Sequence, residues 1–388
     1  MSTFSDYLAI ETENSANLSK GAGQLLVVEP DPNARLKIAD ALKSDFKILF
    51  ALNGRQALDI LMKHSIRIVI SDPNLPVLSG LDLLSEMKGA SALSSIPFVA
   101  MSGEVSESFR VDCLNKGASE YVLKPFSQVE FLARVKNIAK MRDYQIRLEQ
   151  GLFEARIIQH ALMPASQLEL PNARFEYLYY PCEELSGDFL DAIQMDDDVF
   201  IYLADVTSHG TAASQVTYLI RGLFREAVLQ GRLTDLNDIL LKVGRSFCAL
   251  GLDYGVAIRA IKLNCKTRQL KISGSNAPAP IVFRNREVFE FKVSSQTAPM
   301  IDADLWKDET FPVDSVNLQP GDFIYIFTDG CVEFPANGGR EIGFKRFSSI
   351  LRDADPKNWR TSLMDKFVEL HGNPKFPDDI TIGRLQIT

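Results

Sequence analysis

Four short motifs in the second half of the chain each carry at least one aspartate. The motifs are LSGDF, YLADVTSHG, YIFTDGCVE and FPDDITI, and their aspartates are Asp188, Asp205, Asp329, Asp378 and Asp379. Each motif borders an apolar run that is typical of a β-strand. Carboxylates can bind hard cations or transfer protons, although a single aspartate at a strand end is usually only solvated. Four such motifs in one half of a chain indicate more than solvation.

A second set of polar residues follows the apolar runs of the first half. Glu29 comes directly after LLVV, Asp72 after IRIVIS and Lys124 after YVL, while Ser102 closes the run VAMS. The ligands of an open α/β sheet lie beyond the carboxyl ends of its strands. We therefore expect these four side chains to meet at one site.

The two sets of polar residues lie in segments whose patterns predict different arrangements of helices and strands. From Gln24 to about Lys140, apolar runs alternate five times with amphipathic stretches, which predicts an α/β domain with a five-stranded, doubly wound parallel sheet. From about Glu169, many short apolar runs with turn signals predict antiparallel strands, interrupted by two helices near 211–230 and 235–249. This second pattern predicts an α+β sandwich, in which the triplet Asp196–Asp198 forms a hairpin turn.

The segment between about Val135 and Met163 has neither proline nor a strand pattern, and it predicts one long helix that ends at Met163-Pro164. An apolar ladder runs along it, with glutamine on two of its rungs. The apolar rungs are Ile138, Met141, Leu148, Leu152, Ala155 and Leu162, and the polar ones are Gln145 and Gln159. The ladder predicts either a coiled-coil seam between two copies or a helix packed on its own domains.

Composition excludes several classes of protein. The net charge of −8 and the lack of clustered Lys and Arg argue against nucleic-acid binding. No window approaches the roughly 20 apolar residues of a membrane helix, and the polar, acidic start does not look like a signal peptide, so we expect a cytoplasmic protein without a membrane anchor. The five cysteines form no C-x-x-C pair and suggest neither a disulfide framework nor a zinc site.

The first set of residues is joined by further landmarks, namely Asn74, Pro76, Gly80 and the pair Lys124-Pro125. In order and spacing the whole set resembles the receiver domain of bacterial response regulators. That resemblance implies a phosphorylated carboxylate at Asp72, phosphoryl contacts from Ser102 and Lys124, a switch aromatic at Tyr121, and one Mg²⁺ held by Glu29, Asp72 and the carbonyl of Asn74. Mg²⁺ and a lysine would neutralise the charge on a transferring phosphoryl group.

The sequence departs from the receiver pattern at Pro30. Receivers usually place two adjacent acids after the first strand, whereas this chain has Glu29-Pro30, and proline has no ligand atom in its side chain. Asp31-Pro32 is typical of a helix N-cap followed by proline at the first helical position. We therefore expect Asp31 to cap a helix and the receiver to bind Mg²⁺ weakly.

The four aspartate motifs, together with ARIIQHALMP, LQPGDFIYIFTDG and DDITIGRLQI, resemble the SpoIIE-type (RsbU-like) branch of the metal-dependent serine/threonine phosphatases. The resemblance implies that Asp205 bridges two metal ions, that Asp379 supports the site, and that the remaining ligands are Asp188, the carbonyl of Val206, Asp329 and Asp378. An all-oxygen set suits Mg²⁺ or Mn²⁺ rather than zinc, and two such ions would activate a water that attacks phosphorus in line. His209 is the candidate for protonating the leaving oxygen.

Several family motifs are altered in this chain, but no carboxylate is lost. Gly-Gly-Asp becomes Ser186-Gly187-Asp188, the glycine before the bridging aspartate becomes Ala204, and Ser-Gly-His-Gly becomes Thr207-Ser208-His209-Gly210. The usual Gly-His-Pro becomes Asn276-Ala277-Pro278. These departures concern loop geometry and the fit of the substrate rather than metal binding.

Together the two resemblances imply a response regulator whose output domain dephosphorylates a phosphoserine or phosphothreonine protein, such as an anti-sigma-factor antagonist. Its partners would be a sensor histidine kinase or phosphotransfer protein, that substrate, and a second copy of the chain through the helix. The alternative is an RssB-type adaptor that delivers a sigma factor for proteolysis, but an adaptor needs no carboxylate cluster. LSGDF can also be interpreted as a degenerate diguanylate cyclase signature, but that interpretation leaves the other three aspartate motifs without a role.

The expected organisation has four parts along the chain. They are a flexible tail at 1–22, a receiver domain at 23–140, a helical linker at 141–167 and a phosphatase domain of α-β-β-α type at 168–388.

Overall fold

The computed structural model describes residues 24–208, 210–289, 293–294, 310–336 and 339–388, and the chain divides into two compact units between Gly151 and Leu152. The tail expected at 1–22 lies outside the described residues. Among those that are described, none of the helices combines the length and the apolar character that crossing a membrane requires.

The first unit is built on five parallel strands in the order β2-β1-β3-β4-β5. The strands are β1 (Gln24–Val28), β2 (Ile48–Ala51), β3 (Ile66–Ser71), β4 (Phe98–Ser102) and β5 (Glu120–Leu123). Their side chains alternate between two buried clusters, one on each face, so that Leu26 and Leu25 belong to different cores. The predicted doubly wound parallel sheet is confirmed.

Four helices connect these strands, namely α1 (Pro32–Leu42), α2 (Gly54–Leu61), α3 (Gly80–Gly89) and α4 (Glu107–Asn115). Each begins after a residue whose side-chain oxygen accepts a backbone N–H of the first turn, which is the usual way to satisfy a helix start. The capping residues are Asp31, Asn53, Ser79 and Ser106. The predicted N-cap role of Asp31 is therefore confirmed.

Helix α5 is continuous from Gln128 to Leu162, so the last helix of the first unit and the predicted linker helix are one element of 35 residues. Its start packs on the parallel sheet through Val135 and Ala139. Further along, Met141 and Leu148 are 72% and 65% exposed, whereas Gln159 is 1% exposed. The ladder is thus not a uniform seam, because its last glutamine is buried within the second unit.

The second unit contains two antiparallel sheets. One has the order β14-β11-β10-β9-β8 and the other has the order β13-β12-β15-β16-β7-β6. The strands of the first are β8 (Asp188–Met195), β9 (Asp198–Val206), β10 (Val256–Asn264), β11 (Gln269–Ser275) and β14 (Asp314–Asn317). The strands of the second are β6 (Gln167–Leu170), β7 (Ala173–Tyr180), β12 (Ile281–Arg284), β13 (Glu287–Val288), β15 (Phe323–Phe327) and β16 (Ile380–Ile387).

Helices cover the outer faces of both sheets. Helix α6 (Gly210–Arg225), which continues as a π-helical turn over Glu226–Gln230, and helix α7 (Leu236–Cys248) pack on the first sheet. The ring of Phe224 stacks on that of Tyr202 at 4.0 Å between centroids. Helices α8 (Gly343–Asp353) and α9 (Trp359–His371) pack on the second. The α-β-β-α sandwich is confirmed.

The prediction of two helices in this half was incomplete, because α8 and α9 were missed. Helix α9 buries Trp359, Leu363, Phe367 and Leu370, an amphipathic spacing that the sequence already contains. The predicted hairpin is present, since β8 and β9 pair in register and Asp196 takes a positive φ of 55° in the turn.

Candidate functional site

The β8–β9 hairpin places two aspartates side by side. Asp188 is the first residue of β8 and pairs directly with Asp205 near the end of β9. Residues that pair across antiparallel strands have Cβ atoms roughly 5 Å apart on the same face of the sheet. The two carboxylates therefore share one end of the first sheet because the register of the hairpin requires it.

The second sheet supplies two more aspartates. Asp329 begins a short 3₁₀ turn (Asp329–Cys331) directly after β15, and Asp378 lies two residues before β16, the strand that pairs with β15. The two chain segments approach closely, since a Cβ on Gly330 would lie 2.0 Å from the carbonyl oxygen of Asp379. Only glycine fits after Asp329, which explains the Asp-Gly pair.

Asp205, Asp329 and Asp378 line one cavity of about 230 Å³. The other described residues of its wall are Val206, Thr207, Ser208, Ala257, Asn276 and Pro377. Asp188 is only 2% exposed and lies behind this wall, where the hydroxyl of Thr328 donates to its Oδ2 at 2.9 Å. The cavity thus opens onto a cluster of acidic groups that both sheets contribute.

The electrostatics of the cluster favour a bound cation. Burial and the carboxylate of Asp379 hold the pKa of Asp188 well above its usual range. Burial, with the neighbouring charges of Asp188 and Asp329, raises the pKa of Asp205 to about 10. Crowded carboxylates resist ionisation unless a positive charge neutralises them. An all-oxygen donor set of this kind fits hard divalent cations such as Mg²⁺ or Mn²⁺.

Asp379 is oriented differently from the other aspartates. Its Oδ1 accepts from the backbone N–H of Cys182 and its Oδ2 from that of Gly187, both at 2.8 Å. It therefore ties β16 to the loop that precedes Asp188, an arrangement that fits the supporting role expected for it. His209, the expected proton donor, lies outside the described residues.

Gln159 is a site residue that the sequence did not single out for this role. Its Nε2 donates to the carbonyl of Ser186 at 2.9 Å, and its Oε1 accepts from the N–H of Ser186 at 3.2 Å. The hydroxyl of Ser186 in turn accepts from the N–H of Asp188 at 2.9 Å. The sequence does contain a signal, a glutamine on an apolar ladder, but that pattern predicts an interrupted dimer seam rather than a contact with Ser186.

In the first unit, Lys124 joins the two predicted acids. Its Nζ donates to Glu29 Oε2 at 2.5 Å and to Asp72 Oδ2 at 2.7 Å. Burial alone would lower the pKa of Lys124, but the hydrogen bonds to Asp72 and Glu29 outweigh it and raise the pKa. Ser102 is buried beside this group at the end of β4. The strand ends that carry Glu29, Asp72 and Lys124 therefore converge, as predicted.

Two further receiver residues lie around this group. The hydroxyl of Tyr121, which is buried, donates to the carbonyl of Glu104 at 2.7 Å, and the N–H of Glu104 donates to the hydroxyl of Ser102 at 3.1 Å. The backbone N–H of Asn74 donates to Asp72 Oδ1 at 2.9 Å. Tyr121 and Ser102 are thus linked through the β4–α4 loop.

The segment after β1 shows why Pro30 matters. Both carboxylate oxygens of Asp31 accept backbone N–H groups of α1, from Asn33 and Ala34. Arg35 Nη1 donates to the carbonyls of Glu29 and Pro30 at 2.9 and 2.8 Å. Asp31 therefore caps the start of α1. The carboxylates that contact Lys124 are those of Glu29 and Asp72.

Comparison with known families matches both halves of the chain. The family model of stage II sporulation protein E (SpoIIE) matches residues 195–388, which is half of the chain, and that of the response regulator receiver domain matches residues 25–136. The SpoIIE match begins after Asp188 and includes Asp205, Asp329 and Asp378.

Individual relatives match only part of the chain. The sensor histidine kinase TmoS of Ectopseudomonas mendocina is 33% identical over 119 residues, which are 31% of this chain and 12% of TmoS. The transcriptional regulatory protein KdpE of Mycobacterium tuberculosis is 31% identical over 132 residues, which are 34% of this chain and 57% of KdpE. The chain therefore covers less than two thirds of the length of either relative.

Among solved structures, the SiaA-PP2C domain of Pseudomonas aeruginosa superposes with a TM-score of 0.56 at 22% identity, covering 64% of this chain and 99% of that domain. This likeness supports the fold of the second unit.

Proposed function

Because the chain belongs to the stage II sporulation protein E family and carries a response regulator receiver domain, we propose that its second unit is a metal-dependent protein serine/threonine phosphatase controlled by the first. The observation that carries the proposal is the meeting of Asp205, Asp329 and Asp378 in one cavity with Asp188 behind them. Carboxylates held this close together, with Asp188 buried behind the others, would destabilise the fold unless a cation or a proton neutralised them.

The expected ligand set is Asp188, Asp205, the carbonyl of Val206, Asp329 and Asp378, which would hold two Mg²⁺ or Mn²⁺ ions. When bound, such ions supply an acidified water and stabilise the negative charge that develops on a phosphoryl group in transfer. Asp205 is the residue best placed to serve both ions, because it pairs with Asp188 and also shares the cavity with Asp329 and Asp378. Asp379 and Gln159 hold the loop that carries Asp188.

The cavity favours a small phosphorylated group as substrate. Its volume of about 230 Å³ accommodates a phosphorylated side chain rather than a large cofactor, and it opens to solvent where a protein could dock. We propose a phosphoserine or phosphothreonine protein, of the anti-sigma-factor-antagonist kind that the sequence resemblance implies. Hydrolysis breaks the bond between phosphorus and the side-chain oxygen, which then takes a proton.

For the first unit we propose phosphorylation of Asp72 by a sensor histidine kinase or a phosphotransfer protein. Lys124 already contacts the Asp72 carboxylate, and the Ser102 hydroxyl lies at the neighbouring strand end. One Mg²⁺, bound weakly, would be held by Glu29, Asp72 and the carbonyl of Asn74. That ion, when bound, and the ammonium group of Lys124 would neutralise the phosphoryl charge as it is transferred.

The experiment is Mn²⁺-dependent release of phosphate from a phosphoserine peptide by the full chain, with Asp329→Asn as the control. Turnover by the parent chain that Asp329→Asn loses is the expected result. A folded, Mn²⁺-binding parent without turnover on peptide or small aryl phosphate would contradict the proposal and favour the adaptor reading.

A further inference from the structure

The described part of the cavity wall has few groups that can donate to an anion, and its neutral side-chain donors are Thr207, Ser208 and Asn276. Its described residues include three carboxylates and no lysine or arginine. The hydroxyl of Thr207 accepts from the N–H of Gly255 at 2.8 Å, while the backbone N–H of Thr207 donates to the carbonyl of Gly255. Asn276 is the amide side chain of this described wall, and it is exposed to the solvent of the cavity. A phosphoryl group entering here needs donors as well as cations.

Asn276 lies on a loop whose shape is unusual. The loop joins β11 to β12, and Asn276 has a φ of +48°, in the left-handed region that asparagine tolerates better than most residues. This backbone turn directs the loop to the cavity that Asp205 and Asp329 line. A side chain here is therefore placed by backbone geometry rather than by packing.

A buried arginine holds that loop. Arg259, in β10, is 0% exposed. Its Nε donates to the carbonyl of Pro278 at 3.1 Å, and its Nη2 donates to the carbonyl of Ala277. Two donors from one planar guanidinium fix both carbonyls in one orientation. The two residues that follow Asn276 are thereby anchored from inside the sheet.

The burial of Arg259 is costly, and the surrounding structure makes room for it. Its Nη1 is buried without a hydrogen-bond partner, and burial lowers the pKa of the guanidinium to about 10. Gly274 pairs with Arg259 across the β10–β11 ladder, and a Cβ there would lie 3.1 Å from Nη1 and 2.3 Å from the carbonyl of Ile258. An apolar side chain would fill the same space at lower cost. The arginine therefore has a use that an apolar residue could not provide.

We propose that Asn276 is a substrate-contacting residue whose amide donates to the phosphoryl group, and that Arg259 is the positioning residue that holds it there. The proposal rests on the proposed phosphatase function and adds a specific contact to it. Asn276 supplies the neutral donor that a carboxylate-lined cavity needs, without competing for the metal ligands. Arg259 acts only through the loop, since its donors face the carbonyls of Ala277 and Pro278.

The first test compares Asn276→Gly with Asn276→Asp in the full chain at saturating Mn²⁺. Glycine keeps the left-handed backbone and removes the amide, whereas aspartate keeps the shape and replaces a donor with a negative charge. We expect kcat/KM on a phosphoserine peptide to fall about tenfold with glycine, which is about 1.4 kcal/mol, and further with aspartate. The Mn²⁺ affinity of Asn276→Gly should not change, because this variant neither adds nor removes a carboxylate. A kcat/KM for Asn276→Gly within about twofold of the parent would overturn the proposal.

The second test asks whether Arg259 acts through Asn276. Arg259→Met should reproduce the loss seen with Asn276→Gly, and the double variant should be no worse than either single variant, because one contact cannot be lost twice. Additive losses would show that Arg259 does not act through Asn276. If Arg259→Met does not fold, Arg259→Lys serves instead, since its single nitrogen cannot reproduce the planar fork that holds both carbonyls, which predicts an intermediate loss.

A third measurement separates this proposal from the proposed function. Calorimetric titration of inorganic phosphate into the Mn²⁺-loaded parent and into Asn276→Gly reports the contact without turnover. Weaker phosphate binding by Asn276→Gly supports the contact even if the parent hydrolyses no phosphoserine. Equal binding by the two proteins contradicts it even if the parent is an active phosphatase.

Discussion

Asp205 lies among the crowded carboxylates of the second unit, and its replacement should have opposite effects on stability and activity. Asp205→Asn replaces a carboxyl group that the folded metal-free chain must keep protonated, so at neutral pH the metal-free protein should melt about 2 °C or more higher. The same change removes a ligand, so phosphatase turnover should fall by about 100-fold or more and Mn²⁺ should raise the melting temperature less. Calorimetry with and without Mn²⁺, beside a phosphate-release assay, measures both. A variant with parental turnover and bound Mn²⁺ would show that the site is elsewhere.

The same cluster gives the metal-free protein a defined response to pH. Burial and neighbouring charge raise the pKa of Asp205 from 3.8 to about 10, so the folded chain keeps a proton that the unfolded chain has released. Stability then falls as pH rises between these two values, because the folded state binds more protons. In excess chelator, the melting temperature of the parent should drop from about pH 6 to about pH 8 more than that of Asp205→Asn. Equal slopes for the two proteins would contradict this assignment.

In the first unit, Pro30 is the residue that limits metal binding in our interpretation. Asp31 is already engaged at the helix start, because both its carboxylate oxygens accept backbone N–H groups of α1. Pro30→Asp adds a carboxylate beside Glu29, so phosphorylation of Asp72 by a small phosphodonor should need several-fold less Mg²⁺, and the rate measured against Mg²⁺ concentration checks it. Asp72→Asn is the matched control and should block labelling in both backgrounds. An unchanged Mg²⁺ dependence would mean that the site does not use this position.

Residues at strand ends could be predicted from the sequence, and residues that act across the fold could not. Asp72, Asp205 and Asp329 each follow an apolar run, so their neighbourhood is encoded locally. Gln159 and Arg259 act on loops that are 27 and 18 residues away along the chain, through contacts that only the packed structure defines. A polar residue in an apolar pattern is the sequence sign of such a contact, but it does not name the partner.

At the scale of elements, the end of α5 supports the start of β8 through the side chain of Gln159. Gln159→Leu keeps the size of the side chain but leaves the N–H and carbonyl of Ser186 buried without their partner, which should cost roughly 2 kcal/mol of unfolding free energy. Because Ser186 also holds the N–H of Asp188, Mn²⁺ affinity should fall by about tenfold. Urea unfolding and calorimetric titration of Mn²⁺ measure the two effects.

A variant that loses stability but binds Mn²⁺ like the parent would show that Gln159 only supports the fold. Gln159→Glu is the matched control, because it keeps the acceptor for the N–H of Ser186 and loses the donor to its carbonyl. Its Mn²⁺ affinity should lie between those of the parent and the leucine variant.

Most helices and strands could be predicted from the sequence because the periodicity of their apolar residues is strong. Strands such as ITIGRLQI and the long helix were visible, and the αβ alternation fixed the class of the first unit. Helices α8 and α9 were missed because the surrounding strand signals dominated our interpretation of that segment, although Leu363 and Phe367 lie one helical turn apart on the buried face. The helix after β5 was predicted, but its continuity with the linker helix was not, since nothing local separates a domain's last helix from a linker.

At the scale of the whole molecule, α5 is the segment of chain through which the two units are joined. It crosses the boundary between Gly151 and Leu152 without interruption. Before that boundary, Met141, Tyr144 and Leu148 are 72%, 57% and 65% exposed, and they lie three, four and seven residues apart on one face. Three exposed large side chains at this spacing are the a/d pattern of a short helix–helix seam. We therefore propose that two copies of the chain pair along this face.

The last prediction follows from that face. Met141→Glu combined with Leu148→Glu should place like charges across the seam and convert a dimer, seen by light scattering, into a monomer. Both side chains are exposed within their own chain, so neither substitution should disturb the fold. If pairing transmits the state of Asp72, the phosphatase activity of the double variant should no longer respond to phosphorylation, because coupling needs an element with two arrangements.

Gln150→Glu adds a glutamate at position c of the same helix when Met141 and Leu148 take position a and Tyr144 takes position d. Position c faces away from the seam, so this control should leave both the dimer and the response intact. A double variant that stays dimeric would place the interface elsewhere. One that becomes monomeric yet still responds to Asp72 would show that the signal passes within a single chain and does not need the dimer.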